Sequence, residues 1–376
     1  MLTRLDETLR HQLPTTFDHA WTSDPRMFDR YWFGAYDPQA RLHLVTGMGL
    51  YLNMNVLDGY VAIQAPADDG RILQHNVRVS RSLRPDIDTV AVGPLSFEIV
   101  EPFKLVKLRW EAGEFPLSFD LDWSAFLPPT EEQHHFRRER GRVVDDYQRY
   151  TQTGRVNGSI TLGDRCVEVR DWLGGRDHSW GVRMQTAGPE PVTGTPELSP
   201  AITRGFVFYW TTFNNGEVGG YVQMQMHGDG ERLMIDGVIA SPDGRINARI
   251  VDMDLRAQFH PGTRIASKLE GVWKGADGQG FDFLCEPLLG YWSMDGTGYD
   301  YGWNDGLGLG VWRGDAYAEH DVYDITHPED VIRPDGSRRT PMHREAPSRL
   351  TINGVVGTSH QVFVVFGPCR HFGVGV

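Results

Sequence analysis

At 376 residues the chain is long for one core, so two domains are expected, and its 40% hydrophobic content belongs to a folded chain, not a disordered one. The formal net charge of −13 excludes the basic footprint of a nucleic-acid-binding protein. Three widely spaced cysteines, Cys166, Cys285 and Cys369, exclude a disulfide framework and a CxxC metal site and point to a reducing compartment.

The N-terminal MLTRLDETLRHQL carries charges throughout and has no apolar centre, so it does not read as a secretory signal. Leu2, Leu5, Leu9 and Leu13 predict a short helix over residues 2–13, stopped by Pro14. From Arg30 onward the text is β. Strand-length runs at 42–46, 59–65, 72–79, 95–100, 105–110 and 117–123 follow one another at the short spacing of an all-β sandwich or barrel. A charged stretch, residues 128–138, interrupts them and is expected to loop or form a brief helix. Strands resume at 147–162 and 166–172. Residues 186–203, rich in Pro, Gly, Thr and Ser, are expected to join two halves, residues 1–195 and 196–376. Strands recur from Phe206 to Trp273, and residues 349–355 and 360–366 close the chain. Residues 296–310 are too glycine-broken for a strand, and 326–347 read as a loop. No apolar run approaches the ~20 residues of a membrane helix, so a cytoplasmic protein without a transmembrane segment is expected.

Chemistry concentrates at Gly174-Gly175-Arg176-Asp177-His178-Ser179-Trp180-Gly181-Val182-Arg183. On a strand, Arg176, His178, Trp180 and Val182 share one face, and Asp177, Ser179, Gly181 and Arg183 the other. A strand that merely filled a core would carry Val, Ile or Leu here. The structural alternative is an ion-paired Asp177, a His178 bonded to backbone and a Trp180 that fills space. A similar acid–imidazole run, Glu319 to Asp324, includes His320, and Asn53 to Tyr60 places Asp58 and Tyr60 in an otherwise apolar region. No GxGxxG, P-loop, HExxH, HxH or GxSxG occurs, so no metal, no nucleotide cofactor and no serine nucleophile are expected.

The segment Asp177-His178-Ser179-Trp180-Gly181 resembles the two-domain lipocalin-like (calycin) proteins of the carotenoid 1,2-hydratase and kievitone hydratase type, and Trp32-Phe33, Gly49-Leu50-Tyr51 and Arg176 to Arg183 resemble segments of bacterial relatives of unknown activity. The resemblance implies an all-β fold of two tandem lipocalin-like antiparallel β-barrels packed together, with ligand space near their junction. It assigns catalytic roles to Asp177, His178 and Trp180. It also implies a downstream Tyr-x-Asp, where this chain has Tyr209-Trp210-Thr211, so Tyr209 stands for the tyrosine and no acid follows it.

These residues together predict a cofactor-independent hydratase, dehydratase or isomerase. It would act by acid–base chemistry on a hydrophobic unsaturated small molecule such as a terpenoid or phenolic. Tyr209, Trp210, Tyr60, Asp58 and His320 are the candidate substrate contacts. A buried carboxylic acid would donate the proton, aromatic faces would steady the cation, and His178 would hold water or take a proton. The alternatives are a non-catalytic binder of hydrophobic small molecules and a cofactor-free cyclase.

Overall fold

The structure, a computed structural model, describes residues 1–139, 141–189, 194 and 200–375. The expected boundary between 195 and 196 lies outside the described residues. β1 (Met27–Tyr36), β2 (His43–Tyr51), β3 (Val56–Pro66) and β4 (Ile72–Ser82) form an antiparallel meander. The short β5 (Ala91–Val92) leads to a second meander, β6 (Leu95–Glu101), β7 (Leu105–Trp110) and β8 (Leu117–Ala125). β9 (Thr130–Glu131) and β10 (His135–Glu139) precede the two longest strands, β11 (Arg142–Leu162) and β12 (Arg165–Val182). β12 pairs with both β1 and β11 and so closes the two meanders into one sheet.

The second half supplies β13 (Phe206–Asn214), β14 (Gly219–His227), β15 (Arg232–Ala240), β16 (Asn247–Phe259), β17 (Ala266–Gly275) and β18 (Gly280–Pro287). After β19 (Trp292–Ser293) come β20 (Tyr317–Asp324), β21 (Val331–Ile332), β22 (Arg338–Arg339), β23 (Arg344–Ile352) and β24 (Val355–Phe366). β13 to β18 with β23 and β24 form an eight-stranded antiparallel barrel, closed by the β18–β23 pairing. The fold is thus all-β, a closed barrel packed on a second large sheet. The first sheet curls around its own apolar core, among the described residues without a closing ladder: Val92 and Leu95 reach across to Gly59 on β3.

Alternation explains which strands face water. β8 buries Leu117, Phe119, Leu121 and Trp123 and exposes Asp120 and Asp122. β3 and β4, in contrast, are buried on both faces, because residues 292–324 cross back from the second half and cover them. β20 pairs with β4, so the later part of the chain contributes strands to the first sheet. Arg78 anchors this cover. Fully buried, it donates to the Gly296 carbonyl at 2.6 Å and pairs with Glu319 and Asp321.

Three local expectations are corrected. Residues 2–13 form only a 3₁₀ turn at Arg4–Glu7, held by a Thr3–Asp6 capping box, and Leu2, Leu5, Leu9 and Leu13 stay exposed. Residues 128–138 are extended, not helical, and pair with β11 as β9 and β10. The supposed loop 326–347 contains β21, β22 and the start of β23.

The two units meet where β1, β11 and β12 pack against β13, β14 and β24. Trp32, Tyr36, Leu173, Trp210, Tyr221 and Val362 form the apolar part of this junction. Trp32 and Trp210 meet edge to face at 5.8 Å, an arrangement worth about 0.5–1.5 kcal/mol beyond the area it buries.

Candidate active site

The glycines of the β12 segment are spacers for three different neighbours. Gly174 accepts the Trp123 indole N–H through its carbonyl at 3.0 Å, and a Cβ there would meet that ring. At Gly175 a Cβ would come within 2.5 Å of Thr212, so this glycine lets the second barrel approach. Gly181 has φ +136°, and a Cβ there would fall 2.3 Å from the Asp146 carbonyl on β11.

Between the spacers, alternation divides the chemistry. Arg176, His178 and Trp180 face the mouth of the first sheet. The Arg176 guanidinium lies over Trp123, Tyr150 and Phe33 and donates to Gln152 and Tyr150. His178 hydrogen-bonds Asp29 at 2.6 Å and packs on Tyr31 and Trp180, and Trp180 is 38% exposed.

Asp177, Ser179 and Arg183 face the other way, into a cavity of about 130 Å³ between the units. Register sets the cavity floor. Ser179 lies opposite Arg30 on one side and Arg149 on the other, and Asp177 opposite Trp32 and Thr151. Glu345, His360, Phe208 and Trp210 come from the second barrel, and Met294, Tyr299 and His343 from the chain around the covering segment.

The cavity holds an acid and a base in different states. Burial raises the Asp177 carboxyl to about 6, although Arg149 opposes the rise. Burial also works against the charge of Glu345, but His360 and His343 hold it down to about 2. His360 Nε2 hydrogen-bonds Glu345 Oε2 at 2.7 Å. His343 Nε2 lies 2.7 Å from Oε1, an ion-pair contact whose angles are not those of a hydrogen bond. Burial opposes the His343 imidazolium, yet Glu345 beside it raises its pKa. Behind the floor, Glu132 is held at about 2 against its own burial by Arg149 and His135. It accepts from Arg149 at 2.6 and 2.8 Å, from Thr151 at 2.5 Å, and from Gln223 and the Trp210 indole of the second barrel at 3.0 and 3.3 Å.

Of the residues singled out in the sequence, the structure brings Asp177 and Trp210 to this cavity. His178 and Trp180 lie on the opposite face of β12. Tyr209 points into the second barrel, against Phe283, and Thr211 is buried and accepts from Gln361. Tyr60 and Asp58 lie under the covering segment. Tyr60 meets Tyr299 edge-on, and Asp58 accepts the Gly310 N–H at 2.6 Å and is raised by burial to about 6. His320, on β20, stacks near His75 and Phe115, away from the junction. The walls of this cavity, expected to hold a hydrophobic unsaturated molecule such as a terpenoid or phenolic, include Arg30, Arg149, Arg183 and Glu345 beside the rings of Trp32, Phe208 and Trp210. Sequence reasoning missed Glu345, His343, His360, Arg30, Arg149 and Glu132. Polar residues two apart, as in Tyr147, Arg149 and Thr151, were the available signal.

A larger open cleft, about 850 Å³, runs between Phe126–Gln133 and β14–β16, on the other side of Glu132. Among the described residues, the one cation lining it, Arg249, pairs with Asp236. Among the described residues no three His, Cys, Asp or Glu side chains converge to hold a metal ion, and no helix is long and apolar enough to cross a membrane.

A closed barrel on a curled sheet, with an acid–base cavity at their contact, defines a two-unit all-β protein. The chain belongs to the Family of unknown function (DUF8625), whose model matches residues 2–340. No curated protein matches it. Among solved structures it is similar to an AttH-type protein of Nitrosomonas europaea, with a TM-score of 0.53 and 12% identity over 91% of this chain and 93% of that one. It is also similar to kievitone hydratase from Nectria haematococca, with a TM-score of 0.46 and 9% identity over 90% of this chain and 88% of that one. At such identity the likeness to the first is one of fold, and the second carries no more.

Proposed function

We propose that the cavity between the units is an acid–base active site that adds or removes water, or moves a double bond, on a small unsaturated molecule. The observation that carries this reading is the placement of Asp177 and the His343–Glu345–His360 cluster on the walls of one buried cavity. Asp177, protonated below about pH 6, donates to the double bond or to a leaving hydroxyl. The Trp32 and Trp210 rings, which line the cavity, steady the cation that forms. His360, whose Nε2 is held by Glu345 and whose Nδ1 has no partner, takes a proton from the neighbouring carbon, or from the water that adds. Neither step calls for a cofactor.

The test is carbon-bound deuterium incorporation, or water addition, followed by NMR in D₂O across a panel of small unsaturated and hydroxylated acids and phenols. Asp177→Asn is expected to lower the rate by ~10²-fold or more, the size of a lost general acid. His178→Ala is expected to stay within a few-fold of the wild type. Equal rates in the wild type and Asp177→Asn would remove the proposal. A second reading, a binder of hydrophobic small molecules, draws on the 850 Å³ cleft, whose size is that of ligand pockets generally.

A further inference from the structure

We infer that the junction cavity takes its ligand as an anion, a small planar carboxylate whose charge sits between Arg30 and Arg183. The inference deepens the acid–base reading and rests on it only for the carboxylate being a substrate's; the binding itself stands apart.

The charges around the cavity do not cancel. Arg149 is paired with Glu132, and Glu345 with His343 and His360. Arg30 and Arg183 remain, and the acid that acts on both across the cavity, Asp177, forms an ion pair with neither. Among the described residues no carboxylate lies within ion-pair distance of either. Arg30 is 4% exposed, and its Nε and Nη1 have no hydrogen-bond partner. Asp58, a buried acid that acts on Arg30 through charge, forms no ion pair with it and has one oxygen committed to Gly310. Both guanidiniums stand over the same ring, Tyr299, at 4.8 and 5.5 Å. A buried cation without a paired carboxylate is costly, and here Arg30 and the half-buried Arg183 face one void.

Shape narrows the anion. The guanidinium fork matches a planar carboxylate edge. The volume, about 130 Å³, approaches the ~150 Å³ that holds a benzene molecule in an apolar cavity. Trp32, Phe208 and Trp210 supply aromatic wall for a flat unsaturated body attached to the charge. A carboxylate bound there also places a negative charge near Asp177, which favours the protonated, proton-donating form of that acid.

The experiment titrates the full chain with benzoate, benzamide and inorganic phosphate by calorimetry. Benzoate is expected to bind roughly tenfold or more tighter than benzamide, the size of a charged hydrogen-bonded contact. Arg183→Gln is expected to weaken benzoate by a similar factor and to leave benzamide unchanged. Arg30→Gln should do the same; if circular dichroism shows that it does not fold, half-buried Arg183 decides alone. Benzamide binding as tightly as benzoate, phosphate binding tighter than benzoate, or benzoate binding unmoved by Arg183→Gln would each overturn the inference. Normal benzoate binding in a chain whose Asp177→Asn variant still turns over at the wild-type rate would end the acid–base reading and leave this one standing.

Discussion

Asp177 and His178 are neighbours in sequence and strangers in space. The period of two separates their faces, and that separation was legible in the sequence. Which face met a cavity was not, because it depends on a second barrel whose position no local pattern encodes. His178 is held by a half-exposed Asp29, a contact worth about 0–1 kcal/mol. Asp177 affects stability in the opposite sense to most carboxylates. Its folded value of about 6 lies above the 3.8 of a free side chain, so between those values the folded state retains a proton that the unfolded state has lost. Stability from this group is therefore full at about pH 4 and declines as pH rises through about 6. Asp58 acts in the same direction, whereas Glu132 and Glu345, held at about 2, lose their contribution only as pH falls below the usual glutamate range. The melting temperature of Asp177→Asn, which keeps Asp58, is expected to fall less between pH 4.5 and 7 than that of the wild type. An equal fall in both would mean that Asp177 is not raised.

Among the elements, the strands and their turns were largely readable from alternation and from Asp–Gly signals such as Asp69-Gly70 and Asp243-Gly244. The cover over β3 and β4 was not. β20 pairs with β4 across more than 230 positions of sequence, and a local period carries no information about so distant a partner. The clue was an excess of polarity: Asp58, Gln74, Asn76 and Arg78 occupy strand positions that would be wet if nothing covered them, yet all are buried. Arg78 is the post on which the cover hangs. Arg78→Met leaves Glu319 and Asp321 buried without their cation, a loss of about 3–5 kcal/mol. Amide exchange is expected to quicken first in residues 293–324 and only later in the second barrel. Exchange that rises evenly over the whole chain would show that the cover is not a separate element of stability.

For the whole molecule, the two-unit all-β plan could be read from strand spacing, but the contact between the units could not. Glu132, from a stretch that reads as a charged insertion, joins Arg149 and Thr151 of the first sheet to Trp210 and Gln223 of the barrel. That joint sets one cavity wall, and Gly175 sets how closely the barrel sits above it. The cavity is a product of assembly: Asp177 comes from one unit, Glu345 and His360 from the other. The central claim is that this assembly makes Asp177 an acid that holds its proton up to about pH 6. Carbon-13 NMR of labelled aspartate carboxyls, titrated in the wild type and in Asp177→Asn, measures this directly. The account expects a resonance, absent from Asp177→Asn, that titrates near pH 6 and moves higher when benzoate is added. An Asp177 resonance that titrates near the ordinary aspartate value and ignores benzoate would contradict it.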